Sequence, residues 1–325
     1  MKGWPRRRVL GALVAGLAPL SSGALAQGTY PDRLIKLTVP YPPGALTDSL
    51  GRMVAERLHA SFGQPVVVEN RPGAGTLIGA SAVAKSPADG YQLLLATSTT
   101  LAISPAMFAA PPSVPSDFVG VAMIGSVSLL LVTRPDLNAA NLGELVALVK
   151  REPDRYTFGS PGNGTMHQLI VEMIKAQEKL TLTHVPYQGS MTALRDLMNG
   201  RIDFMFLDVV AALPQVLAGK IRAIAVAAAH RLPALPNVAT VAETYPAIDV
   251  QAWQSVVAPK GTPDAIVQRL NAELNRQLQG PELKGQLQAV GVEANPMSAA
   301  ALNDLIARDA RRFGDLVRAL GLKAS

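Results

Sequence analysis

Two short glycine-rich loops carry the residue types suited to holding an anion. Pro42-Pro43-Gly44-Ala45-Leu46-Thr47-Asp48 and Ser160-Pro161-Gly162-Asn163-Gly164-Thr165 each follow a strand pattern and open a helix pattern. A helix start leaves backbone N–H groups unpaired and carries partial positive charge, and glycine lets a ligand approach without a Cβ in the way. One helix terminus favours an anion by only about 0.3–2 kcal/mol, whereas micromolar affinity needs about 8 kcal/mol. The remainder must come from hydrogen bonds and closure, which points to a cleft shared by two lobes. Taken singly, each loop also reads as an ordinary βα turn capped by Thr47 or Thr165.

Other chemistry-bearing residues are less patterned. Asp48 would repel a bound anion if it faced one, so it stabilises its own helix start or meets a ligand amino group. Asp208, at the end of a strand pattern, reads a ligand donor or caps the next helix. His59, His167, His184 and His230 show no metal-ligand spacing. His167 falls in the first turn of the second loop's helix, near a ligand or in packing. Gly73-Ala74-Gly75-Thr76-Leu77-Ile78-Gly79 lacks dinucleotide-binding spacing and reads as a packing turn, and no G-x-S-x-G nucleophile elbow is present.

The elements that must position these residues alternate. Strand patterns at 34–39, 66–68, 91–96, 129–133, 156–159, 180–184, 202–207, 221–227 and 255–258 are interleaved with helical patterns at 50–58, from after Gly73 to about Ala84, and at 142–150, 165–176, 193–198 and 264–279. Two amphipathic helices close the chain, with Leu302, Ile306 and Phe313 on a core-facing stripe. Such alternation implies parallel βαβ units, whose ligand sites lie at the carboxyl ends of strands.

Lys2, Arg6, Arg7 and Arg8, an apolar run from Val9 and Ala24-Leu25-Ala26 read as a secretory leader cleaved after Ala26, with Arg6-Arg7-Arg8 resembling a twin-arginine signal. Removing four basic residues lowers the net charge from +6 to +2, so the basic balance of the whole chain does not argue for nucleic acid binding. The chain has no cysteine, which excludes disulfides and thiolate metal sites. Its exported, soluble form must rely on its core.

Val39-Pro40-Tyr41-Pro42-Pro43-Gly44 with Thr47-Asp48, Val68-Glu69-Asn70-Arg71-Pro72-Gly73, Asp89-Gly90-Tyr91, Gly159 through Thr165, His184-Val185-Pro186-Tyr187-Gln188-Gly189 and Ala258-Pro259-Lys260-Gly261-Thr262-Pro263 together resemble the Bug receptors of tripartite tricarboxylate transporters. The resemblance implies an α/β, type II periplasmic binding protein fold: two α/β domains joined by a two-strand hinge, closing on the ligand. Carried onto this chain, domain 1 comprises residues 27–128 and 251–325, domain 2 residues 129–250, and the hinge strands 129–133 and 255–258.

That resemblance further implies a carboxylate held by backbone groups and waters of the two loops. It points to Pro43, Gly44, Ala45, Thr47 and Asp48 on one side and Ser160, Gly162, Asn163, Gly164 and Thr165 on the other. By the same resemblance, Tyr41, Thr97, Ser98, Tyr187, Gly189 and Asp208 are expected to line that cleft. The family commonly has glycine where this chain has Ala45; a positive φ there would cost about 1–2 kcal/mol. The expected protein is a monomeric periplasmic receptor without metal or cofactor, passing a di- or tricarboxylate, acidic amino acid or aromatic acid to membrane permease subunits. A ligand-sensing subunit for a signalling partner and an exported hydrolase are the competing readings.

Overall fold

The computed structural model describes residues 30–323; the leader expected over residues 1–26 lies outside the described residues. In β1 (Ile35–Val39), Ile35, Leu37 and Val39 are buried, and α1 (Leu46–Phe62) packs Leu50, Val54 and Leu58 into the same core, one face of a 3.6-residue repeat. Next come β2 (Val66–Asn70), α2 (Leu77–Ala84) and β3 (Gln92–Thr97), then a short π-helix over Thr99–Ile103 and β4 (Phe118–Val127).

From Val127 the chain passes through Ser128 into β5 (Leu129–Thr133), followed by α3 (Leu142–Arg151), β6 (Thr157–Ser160), α4 (Met166–Glu178) and β7 (Thr183–Pro186). After these come α5 (Ser190–Met198), β8 (Phe204–Asp208), α6 (Val209–Leu217), β9 (Arg222–Ala227) and α7 (Val241–Thr244). It then returns as β10 (Ala252–Pro259) and ends in α8 (Asp264–Gln279), α9 (Pro281–Ala289), β11 (Val292–Ala294) and α10 (Ala299–Ala319).

Two sheets result, one per lobe. The six-stranded sheet has the order β11-β4-β10-β3-β1-β2 and the five-stranded sheet β7-β6-β8-β5-β9. Within the first, β1 runs parallel to β2 and β3, while β10 lies antiparallel between β3 and β4. Within the second, β6 is parallel to β7 and β8, and β5 is antiparallel to β8 and β9. Residues 129–133 and 255–258, expected as hinge strands, each pair inside one sheet. The chain moves between sheets at Ser128 and again between β9 and β10.

Three local readings changed on folding. The ten-residue β4 was not foreseen, because Gly120 and Gly125 dilute its apolar pattern. Both glycines answer to tertiary neighbours: a Cβ at Gly125 would meet the Glu293 carbonyl at 2.4 Å, and one at Gly120 would meet Leu302 at 2.9 Å. The strand expected at 180–184 forms at 183–186, where β6 pins its register from Thr157↔Thr183 to Ser160↔Pro186. Leu180 and Leu182 are buried in the core instead. Helix α6, which was not foreseen, contains Pro214, a residue disfavoured inside helices.

Candidate ligand cleft

A partly open cavity lies where the lobes meet, at the carboxyl ends of β3 and β8. Its wall includes Tyr41, Ala45, Leu46 and Thr47 from the first loop and α1, and Thr97, Ser98 and Thr99 from the end of β3. The other lobe contributes Pro161, Thr165, Met166, His167, Ser190 and Asp208, and the strand β10 adds Ala252, Trp253 and Gln254. The first residues of α1, α4 and α5 and the N-cap of α6 therefore line one cavity. Each terminus brings N–H groups with no partner inside its own helix and a share of positive charge.

The side chains around these termini are mostly neutral hydrogen-bonding groups. Burial, before any other influence, pushes the Tyr41 phenol up to about 12; bonds to Thr97 and Thr99 pull the other way, and Asp208 adds to the rise. The Tyr41 hydroxyl lies 3.1 Å from Thr97 Oγ1, which also accepts from the Thr100 N–H. Thr47 Oγ1 accepts from the Gln254 side-chain amide at 3.2 Å.

Contacts cross between the lobes beside the cavity. The Met166 N–H donates to Thr99 Oγ1 at 3.2 Å, and Ser104 Oγ donates to the Gly164 carbonyl at 3.5 Å. Gly164, at φ +74, leaves space in which a Cβ would come within 2.5 Å of Met107 Sδ. A wider outer cleft opens alongside, bounded by Pro40, Tyr41, Pro42 and residues 72–76 on one side and by Pro161, Gly162, Thr165, Tyr187, Gln188 and Gly189 on the other.

Comparison with known proteins agrees with this architecture. The model of the family described as tripartite tricarboxylate transporter family receptor matches residues 50–322. The chain belongs to that family. Protein BugT of Bordetella pertussis is 37% identical over 301 residues, 91% of each chain. The R. palustris structure with adipate shares 32% identity at a TM-score of 0.86, over 91% of this chain and 100% of that one. Periplasmic binding protein BugD shares 29% identity at a TM-score of 0.83, over 91% and 100%. This Bug-type receptor thus has the two-lobed α/β fold of periplasmic solute-binding proteins, and the resemblance drawn from its motifs holds.

Within the receptor, the expected site residues fall into two groups. Tyr41, Ala45, Thr47, Thr97, Ser98, Thr165 and Asp208 line the inner cavity, while Gly162, Tyr187 and Gly189 line the outer cleft with Tyr41 and Thr165. Pro43, Gly44, Asp48, Ser160, Asn163 and Gly164 line neither, and several have polar groups committed to holding the loops. Asp48 is buried, and its carboxylate accepts from the Gly44 N–H, the Arg52 guanidinium and the Asn70 amide. Burial alone would raise its pKa, but these bonds outweigh it and hold the carboxyl below its ordinary value. All its acceptor sites serve the loop, so Asp48 positions rather than reads.

Ser160 is fully buried. Its hydroxyl lies 2.9 Å from the Gly162 carbonyl and 2.7 Å from His184 Nε2, and accepts from the Gly162 N–H. The single hydroxyl proton goes to the Gly162 carbonyl or to His184 Nε2 as the imidazole tautomer dictates, while the Gly162 N–H anchors the oxygen. Burial, and after it the charge of Lys175, push the His184 pKa down to about 4, so the ring is neutral. The Asn163 carbonyl packs by Gly75, and the Gly164 N–H donates to Gln168 Oε1 at 2.8 Å.

Ala45 needs no unusual backbone. Its φ of −78° and ψ of 164° are extended, and the positive φ belongs to Gly44 at +82°. Thr165 caps α4 by accepting from the Gln168 N–H, but Ala45 rather than Thr47 stands at the N-cap of α1, where Thr47 lies inside the helix. Asp208 occupies the N-cap position of α6 without a side-chain cap bond, its Oδ1 3.6 Å from His167 Nε2. Gln254 was not anticipated; the signal available was an amide beside Ser255 in a buried, mostly apolar strand.

Proposed function

We propose that this receptor captures a small carboxylate in the periplasm and delivers it to the permease subunits of a tripartite tricarboxylate transporter. The observation that carries the reading is the convergence of the α1, α4, α5 and α6 N-termini on one interlobe cavity. It presents fixed N–H donors with partial positive charge and, among the described residues, no lysine or arginine on its wall. Adipate in the related R. palustris protein supports the ligand class. The reading includes a cleavable leader over residues 1–26 with its twin-arginine pattern, and a monomeric receptor without catalytic activity. It divides the chain into residues 27–128 with 251–325 and residues 129–250, closing about the crossings at Ser128 and between β9 and β10. Opposing a catalytic role, Ser160 and His184 line neither the inner cavity nor the outer cleft.

The test is a thermal-shift screen of the refolded chain from Gln27 onward against mono-, di- and tricarboxylates, acidic amino acids, aromatic acids, sugars and amines. A ligand at 100 times its Kd adds about 2.7 kcal/mol, enough to raise the midpoint by a few degrees. Shifts confined to carboxylates support the proposal. Shifts with sugars or amines alone refute it.

A further inference from the structure

Behind the ligand cleft lies a second groove, between α10 and the two places where the chain crosses from lobe to lobe. Ser126, just before the first crossing, borders it, as do Asp249 and Gln251 of the second crossing and Asp309 and Arg312 of α10. Among the described residues, Trp253 is the one that borders both this groove and the inner cavity. Neighbouring side chains of a strand point to opposite faces. Gln254 gives its amide to Thr47 in the first turn of α1, whereas Trp253 packs in one buried cluster with Leu302 and Ile306 of α10.

The Trp253 indole N–H donates to Asp309 Oδ2 at 2.8 Å, and both residues are buried. One turn on, the Arg312 guanidinium donates to the main-chain carbonyl of Asp249 in the second crossing. On the other side, Ala252 and Trp253 pair with Val127 and Ser126, the last residues before the first crossing. A buried carboxylate stripped of its hydrogen bond is more costly than a neutral group so treated, which ties β10 firmly to α10. A continuous chain of strand, hydrogen bond and helix thus runs from the cavity wall at Gln254 to both crossings, the kind of contact network that carries coupling between sites. We propose that Asp309 is a positioning residue for ligand capture: it holds Trp253, and through the strand Gln254, where the closed cleft requires them, so that filling the cavity is transmitted to the rear groove. This rests on the reading of the cleft as a closing carboxylate site.

Of the two tryptophans, Trp4 falls in the expected leader, so the fluorescence of a chain starting at Gln27 reports Trp253 alone. The absence of cysteine lets a single Ala301→Cys substitution, at an exposed position bordering the groove, carry an environment-sensitive dye. Adipate, malate, aspartate and citrate are the probes, each first tested for a thermal shift. With an acid that raises the midpoint, Trp253 emission and dye emission are expected to change over the same concentration range. In Asp309→Leu the dye response is expected to vanish and the affinity measured by calorimetry to fall about 3- to 10-fold. Asp309→Asn keeps an acceptor for the indole and is expected to retain both. A merely structural role for Asp309 would lower the midpoint of the ligand-free protein and leave dye response and affinity as they were. A dye unmoved by an acid that does raise the midpoint overturns the inference and leaves the carboxylate reading standing, as does native affinity in Asp309→Leu. Failure of every acid to shift the midpoint overturns both. The dye measurement in the otherwise native chain decides the matter even where Asp309→Leu does not fold.

Discussion

The Met166 N–H, at the start of α4, is satisfied not by its own lobe but by Thr99 Oγ1 of the other, at 3.2 Å. In the proposed closing motion, this bond would form as the lobes meet and break as they part, tying lobe movement to the start of α4.

Replacing Thr99 with Val keeps the shape and removes the acceptor. Loss of one such bond is worth about 0.5–1.5 kcal/mol, so affinity is expected to fall by roughly 2- to 10-fold, mainly through faster dissociation. Stopped-flow release of a bound carboxylate measures it. An unchanged off-rate would show that the bond does not report closure.

Gly164→Ala places a methyl group against Met107 and Ser104 and forces a left-handed φ of +74° on alanine. The expected result is a cleft held ajar, with a backbone cost of about 1–2 kcal/mol. Small-angle scattering should then show a larger radius of gyration with saturating ligand than the native receptor shows.

Asp48 holds the first loop through charge-assisted bonds, and Asp48→Asn is expected to cost about 1–3 kcal/mol near neutral pH. Its folded pKa is depressed, so this stability is present above the ordinary carboxylate range and lost as pH falls through the lowered value. Urea denaturation at pH 7 and at successively lower pH should show the native and variant proteins converging toward acid.

His184 responds in a different window. With a folded pKa near 4 against an ordinary 6.5, the unfolded chain binds the extra proton first. Stability therefore falls as pH drops from about 6.5 toward 4 and is fully present above that window. His184→Gln, which retains a donor toward Ser160, should flatten this part of the stability profile. A profile identical to that of the native protein would assign the slope to other groups.

The βα alternation, the two loops at helix starts and the family motifs were legible because each is written within a short window: apolar spacing, a glycine where the chain must turn, a cap residue before a helix. Gly44, the cap at Thr165 and the stripe of α10 follow from such local rules. Other features were decided by contacts between distant segments. Gly125 is fixed by Glu293, Gly164 by Met107, and the strand position at 183–186 by its pairing with β6.

The cavity itself belongs to this second kind. What the chain determines by itself is that two helix starts can receive an anion within a two-lobed α/β fold. Which side chains meet there was settled by topology: β10 returns late in the chain and inserts between β3 and β4, bringing Gln254 to Thr47, while the crossing into the second sheet sets Asp208 and His167 opposite. No local periodicity records that meeting, because it depends on strand order and on the lobes closing, both of which are fixed by burial summed over the whole core.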